Sequence, residues 1–447
     1  MPAVASLVRS SIAGSELCVW LDAAVLYGVS LLRVRQLARL RLFAALFESA
    51  TVGTQQIKRS VQEENMKIAM FKTSQHENEH RLPLHPQHLP LIPEALRRKL
   101  VFETGYGNDF GFDDEYFRQH GVEMSDYASL FGKCEIIAMP KPRVADLERM
   151  KEGQTLFGWV HAVQQRPIAQ KAIDKKLTLI AWEAMHHWSS VDEKQLHVFY
   201  TNNEIAGYCA VLHSLQLLGI DGFYGPRRRV LVLGYGSVSR GAIHALHGRG
   251  FNNIHVFTQR PSHLVAHKNP DVYFGQYFTG EDGKLMVRDS EGRVRPLIEE
   301  IAEADIICNG ILQDPLNPVM FVEPETAERL KPRSLIVDIS CDEGMGFPFA
   351  RPTTFDEPTF TVNRGVTYYS VDHTPTYLWN ATTREISNSV LQYLDVLSEG
   401  PDAWETDKTL SRAIEIKDGV VRNPAILKFQ NRHDQYPHPY RTELGLG

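Results

Sequence analysis

Cysteine is scarce in this 447-residue chain. The five residues Cys18, Cys134, Cys209, Cys308 and Cys341 show no CxxC or zinc-site spacing. That excludes a disulfide framework and a zinc finger; small buried thiols in a reduced, cytoplasmic protein are expected instead. No uninterrupted apolar run reaches about 18 residues, so no membrane span is expected. Basic charge is not in excess: the formal net charge of -6 argues against nucleic acid as the main partner. The histidines, His186 and His187 among them, lack zinc-protease spacing, and no metal site is expected. Internal repeats and low-complexity runs are missing as well. What is present is an ordinary composition, 43% hydrophobic, in a chain long enough for two or more domains.

The most informative stretch runs from 229 to 261. Val230 to Leu233 are continuously apolar, as a parallel strand buried on both faces should be. Gly234-Tyr235-Gly236-Ser237-Val238-Ser239 follows, then apolar residues at helical spacing, then Gly248-Arg249-Gly250 as a helix stop. A second strand covers 254–257. This is the βαβ opening of a dinucleotide-binding domain. The first glycine makes the tight turn, and the second lets backbone N–H groups approach a pyrophosphate at a helix N-terminus. The third fingerprint position is Ser239 rather than Gly or Ala. A carboxylate is also lacking after the second strand, where Thr258-Gln259-Arg260-Pro261 stands. An acidic residue there would accept from a ribose 2′-OH, whereas a guanidinium pairs with a 2′-phosphate. NADP(H) is therefore favoured over NAD(H). The bland alternative is an exposed arginine after a strand.

Residues 1–65 differ in character, being rich in Ala, Leu, Val and Arg. Glu16, Asp22 and Glu48 do not suit a transit peptide. A start at Met66, with 1–65 a non-native leader, is preferred over an accessory helix. From Met66 strands alternate with helices, which predicts a first doubly wound domain over 66–202 plus 375–447 and a Rossmann domain over 203–374. The expected fold class is α/β, with two Rossmann-like domains and the active site in the cleft between them. A long helix over 203–218 and another over 377–397 should link the two. Residues 267–295 read as a polar insertion with a hairpin. The tail after 400 reads as partly irregular and surface-packed.

Ligands of open α/β sheets sit beyond the carboxyl ends of the strands. In the first domain Arg81, Lys141 and His161 all follow strands, so the sheet can gather them. Arg81 could hold a carboxylate bidentately, Lys141 polarise a carbonyl and His161 exchange a proton. Taken singly, each has a plain alternative: a surface arginine, a solvated lysine, a hydrogen-bonded core histidine. Glu183, at another strand end, either orients a partner or makes a structural ion pair. In the second domain, Asn309-Gly310 could approach the nicotinamide ribose. One or both of Asp338 and Asp342 should face the cleft, and Asp372-His373 ends the last strand.

These residues fall in motifs. Arg81 in HRLPLHP, Lys141 in AMPKP, His161 in GWVH, and the stretches IVDISCDEG and RPTTFDEPTF resemble the alanine dehydrogenase/transhydrogenase α-subunit superfamily. That superfamily also includes lysine-forming saccharopine dehydrogenase. Ala206-Gly207-Tyr208, Asn309-Gly310-Ile311 and 368–375 (YYSVDHTP) resemble its N5-(carboxyethyl)ornithine synthase branch most. The likeness runs from about 66 to 397. It implies that Arg81 and Lys141 bind the oxo-acid carboxylate and carbonyl, and that His161 is the acid/base. It also implies that Asn203, Gly234, Gly236, Ser237, Arg260 and Asp342 line the dinucleotide, in a homo-oligomer; Val238, Asn309, Gly310 and His373 are expected beside the same NADP(H).

The expected reaction is a reductive condensation of a pyruvate-like 2-oxo acid with the amine of an ornithine- or lysine-like amino acid. The alternatives are an ammonia-using amino-acid dehydrogenase and a non-catalytic NADP-binding sensor. Binding a dinucleotide needs none of Arg81, Lys141 and His161, which counts against the sensor.

Overall fold

The computed structural model describes residues 66–444; the readings for 1–65 lie outside the described residues. The first sheet contains β1 (Ile68–Met70), β2 (Leu100–Glu103), β3 (Glu123–Ser125), β4 (Ile136–Ala138), β5 (Thr155–Gly158) and β6 (Thr178–Ala181). All six pair in parallel, in the order β6-β5-β4-β1-β2-β3. Their short apolar runs are buried on both sides. In β1, Ile68 and Met70 enter one core and Ala69 the other, as the two-residue period requires. The order reverses between β1 and β4, where loops leave in opposite directions and open a crevice.

An antiparallel hairpin, β7 (His186–Trp188) and β8 (Lys194–His197), leads into the helix Tyr200–Leu217. The second sheet then forms from β9 (Val230–Leu233), β10 (Ile254–Thr258), β11 (Val272–Thr279), β12 (Leu285–Arg288), β13 (Val294–Pro296), β14 (Ile306–Asn309), β15 (Leu335–Asp338), β16 (Thr359–Val362) and β17 (Val366–Tyr369). Its parallel part has the order β11-β10-β9-β14-β15-β17. This is the same doubly wound order as in the first sheet. β9 again divides its side chains, Val230 and Val232 to one core and Leu231 and Leu233 to the other.

Three expectations need correcting. The segment 267–295 is not an appendage, because β11 is an eight-residue parallel strand integral to the sheet. Only β12 and β13 extend it as an antiparallel meander, turning at Gly283 and Gly292, both at positive φ. The returning helix is two helices, Trp379–Leu391 and Leu394–Glu399. Finally, the tail is ordered structure rather than irregular surface. β18 (Ile414–Lys417) pairs antiparallel to β6, and β19 (Val420–Val421) pairs with β18. Ile414, Ile416, Gln430 and Arg432 are all buried.

The helix Tyr200–Leu217 packs on the fingerprint helix Ser237–Gly248 at backbone distance. A Cβ added at Gly207 would lie 1.8 Å from the Val238 carbonyl oxygen, and one at Gly241 would lie 1.7 Å from that of Glu204. Gly241 therefore supplies close helix packing, while Ser239 at the third fingerprint position is fully buried and donates from Oγ to Leu233 O at 3.3 Å.

Candidate active site

The carboxyl ends of both sheets face a cavity of about 460 Å³. Lys141, Trp159, Val160 and His161 line it from the first sheet; Ser340, Cys341, Asp342 and Asp372 line it from the second. Lys141 leaves the end of β4, and its Nζ donates to Asp372 Oδ2 at 2.8 Å and to Asp372 O at 3.2 Å. The cleft is thus stitched by one ion pair with an 11% exposed ammonium. Asp372 also accepts from His373 Nδ1 at 2.6 Å, and His76 Nε2 lies 3.7 Å from the same oxygen. The Lys141 ammonium, together with those imidazole contacts, holds the Asp372 carboxyl well below its usual range against the cost of burial.

His161 follows β5 in a left-handed backbone conformation, φ 46°. Such a conformation costs a non-glycine residue about 1 kcal/mol and needs support. Here the His161 N–H donates to Glu183 Oε1, and its carbonyl accepts from Gln164 N at 3.1 Å and Gln165 N at 2.9 Å. The imidazole Nδ1 lies 3.9 Å from Glu183 Oε1. Burial and then the Lys141 charge lower the imidazole below the usual histidine range. The side chain is still 40% exposed, so water screens part of that effect; the direction stands, and it means a neutral ring able to accept a proton. The tail closes behind this segment, with Gln430 Nε2 donating to Ala162 O at 2.7 Å and Val163 O at 3.1 Å.

Arg81 is brought near these groups but does not line the cavity. It is 3% exposed, lies over the Trp159 ring at 5.0 Å, donates from Nε to Glu79 Oε1 at 2.8 Å and pairs a second time with Glu79 Oε2. Its remaining nitrogen donates to Asn202 Oδ1 at 3.2 Å. Asp338 is likewise turned away from the cleft, accepting from Asn309 Nδ2 at 2.9 Å and from the Tyr368 hydroxyl. Asp342 does face the cavity, and burial, then the Asp338 charge, raise its carboxyl to about 7. His373 is 2% exposed and spans Asp372 and the Glu77 carbonyl, its Nε2 donating to the latter at 2.7 Å. Among the cavity residues that escaped the sequence reading are two cations, Arg143 and Arg166. Neither makes an ion pair among the described residues. Both stand a few residues beyond strand ends, so the rule that found Lys141 and His161 also reaches them.

The residues expected at the nucleotide, Gly234, Gly236, Gly310, Arg260 and Asn203, do not line that cavity. Gly234 has φ 87°, and a Cβ there would meet Ile311 Cγ1 at 2.8 Å. Gly236 caps the helix Ser237–Gly248, and a Cβ on it would point into open space. A ligand can therefore reach the N–H groups of Ser237 and Val238. Gly310 crosses beside the turn, where its Cβ would meet Ser239 Oγ at 2.5 Å. Arg260 is exposed at the end of β10, makes no ion pair among the described residues, and donates to Tyr235 O at 3.2 Å within the glycine turn. Asn203 lies part-buried in the first turn of its helix, with Nδ2 3.4 Å from His197 Nδ1. These residues fit a dinucleotide: an open cradle at a helix N-terminus with a free guanidinium beside it.

Among curated proteins, the chain is 25% identical to the N(5)-(carboxyethyl)ornithine synthase of Clostridium botulinum, over 74% of this chain and 97% of that one. It is 26% identical to an alanine dehydrogenase of Mycolicibacterium smegmatis, over 78% and 93%. Among solved structures it resembles an L-alanine dehydrogenase, with a TM-score of 0.65 and 23% identity over 81% of this chain and 99% of that one. A transhydrogenase from Sinorhizobium meliloti gives 0.59 at 17% identity, over 80% and 100%. Residues 72–206 match the model of the alanine dehydrogenase/PNT N-terminal domain, and residues 217–424 match that of the C-terminal domain. With both domain models matched in chain order, the chain belongs to the alanine dehydrogenase/PNT family.

Proposed function

We propose that this oxidoreductase catalyses the NADPH-dependent reductive condensation of a pyruvate-like 2-oxo acid with the amine of an ornithine- or lysine-like amino acid. The observation that carries the reading is the cavity itself, which places an ammonium, an imidazole and a high carboxyl together at the crevice between two sheets. Lys141 is donor to whatever oxygen displaces Asp372, and so suits a carbonyl that gains negative character. His161, neutral at rest, takes a proton from the substrate ammonium, which frees the amine to attack the carbonyl carbon, and returns that proton to the hydroxyl that leaves as water. A nicotinamide bound beside Gly310 would supply the hydride that reduces the imine.

Substrate carboxylates have two free partners on the wall, Arg143 and Arg166. The amine end of a basic amino acid has Asp342 and Glu343. In this arrangement Arg81 secures the loop after β1 through Glu79; taking a carboxylate itself would require that pair to open. The same cation set counts against a plain amino-acid dehydrogenase, whose ammonia needs no carboxylate partner of its own.

For the cofactor, Arg260→Ala is expected to lower the NADPH-over-NADH preference in kcat/KM by about tenfold, one charge-assisted pairing. An unchanged ratio would remove Arg260 from the 2′-phosphate site. The reaction is tested by NADPH oxidation with pyruvate and ornithine, lysine or ammonia, with NADH in parallel. Oxidation that needs a diamino acid supports the condensation. Oxidation with ammonia alone makes the protein an amino-acid dehydrogenase.

A further inference from the structure

Behind His161 lie two carboxyl groups that no cation neutralises among the described residues. Glu183 follows β6 and gives one oxygen to the His161 N–H. Its Oε2 is shut off from solvent and has no hydrogen-bond partner, although the side chain as a whole is 23% exposed. Glu415 comes from the tail. It is 5% exposed, accepts from Asn423 Nδ2 at 3.0 Å, faces the Ala162 N–H, and leaves its own Oε2 buried without a partner. The two acids thus sit against consecutive amides of the segment that presents the imidazole.

The tail reaches this place by a β-bulge. Ile414 pairs with Ile180, but Ile416 pairs with Leu179, so Glu415 is the extra residue. The consequence shows in the packing. Residues two apart on a regular strand share a face, yet Ile414 lies in one core and Ile416 in the other. The bulge aims Glu415 at the segment carrying His161.

We propose that Glu183 and Glu415 hold one proton between them and form the anionic support of His161, with Glu415 a positioning residue delivered by the C-terminal tail. Two carboxylates whose Oε2 atoms are buried without a partner, with no cation beside them among the described residues, resist being ionised together. Burial raises both, and the Glu415 charge is the next cause for Glu183. The remaining negative charge lies near His161 Nδ1, which otherwise faces Lys141, Asp372, Arg81 and His76. The role in turnover rests on the reading of His161 as the acid/base group; the shared proton does not.

The test compares the full-length wild-type protein, Glu183→Gln and Glu415→Gln. Infrared difference spectra in heavy water should show a protonated carboxyl band at neutral pH in the wild type that is lost or shifted in both variants. Acids raised in the folded state stabilise it fully below the usual glutamate range, and that contribution is lost as pH rises. The wild-type melting temperature should therefore fall as pH rises from about 4.5 to about 9, and Glu415→Gln should remove roughly half of that fall. In the pH profile of kcat/KM, Glu415→Gln leaves the full charge on Glu183 and moves the acid limb up by ~0.5–1 pH unit; Glu183→Gln moves it down. Absence of the wild-type band overturns the proposal even where a variant fails to fold. An alkaline melting slope unchanged by Glu415→Gln also overturns it. Neither readout uses substrate, so a wrong reaction assignment would not imitate either result.

Discussion

Replacing His161 with alanine is expected to lower kcat by about 10²- to 10⁴-fold, the usual worth of a general acid/base, while leaving the NADPH dissociation constant within about twofold. The ring stands on the cavity wall with a carboxylate 3.9 Å from Nδ1, and its backbone is held by three hydrogen bonds that alanine can keep. The nucleotide cradle is built from the Gly234 turn and the helix that Gly236 caps, so nothing in it depends on the imidazole. Steady-state turnover and a fluorescence titration with NADPH separate the two effects. Turnover that survives the substitution would remove His161 from the mechanism. In the wild type, burial and Lys141 favour the neutral ring. The base form is then lost only as pH falls, and the acid limb should lie below the ordinary histidine value of about 6.5.

The second large effect is on stability. Gly207→Ala places a methyl group 1.8 Å from the Val238 carbonyl and 2.8 Å from the Ala242 nitrogen. Both are backbone atoms inside the helix Ser237–Gly248, so the two helices must separate. Overpacking of that kind costs about 3 kcal/mol or more, which lowers Tm by ~3–5 °C in a protein of this size. Val238 lies in the first turn of the helix whose N-terminus would hold the pyrophosphate, so NADPH should also protect the variant less against melting. Gly248→Ala is the control. It lies exposed at the end of the same helix, and its Cβ would meet nothing within 4 Å. Relieving a helical glycine there should leave Tm unchanged or slightly raised. Equal melting of the wild type and Gly207→Ala would mean that the helices do not cross at contact distance.

Much of this protein is decided locally, and those parts were legible. Val230–Leu233 forms as a strand over the residues its apolar run marks, because a strand buried on both faces is apolar throughout. The glycine turn is legible because only glycine accepts its positive φ and its close neighbours. Lys141 and His161 were found by a topological rule: a doubly wound sheet gathers its strand ends, whatever their separation in the chain. β11 was harder. Its apolar residues are interrupted by Gly275 and Gln276 and lie between polar, charged segments, so it resembles part of an inserted hairpin until its pairing with β10 is known.

Other features are decided only by tertiary contact. A sequence shows that Arg81 is basic; it does not show that Glu79, two residues earlier, turns back and pairs with it under Trp159. Nor does it show which way Asp338 points, since that depends on Tyr368 and Asn309 arriving from other strands. Glu415 is the extreme case. It lies more than two hundred residues beyond Glu183 in the chain, in a tail with no chemical signature, and a single bulge sets its direction. Periodicity and turn chemistry are local properties and can be read from order alone. The partner of a buried charge is a property of distance in the folded chain, and only the folded chain decides it.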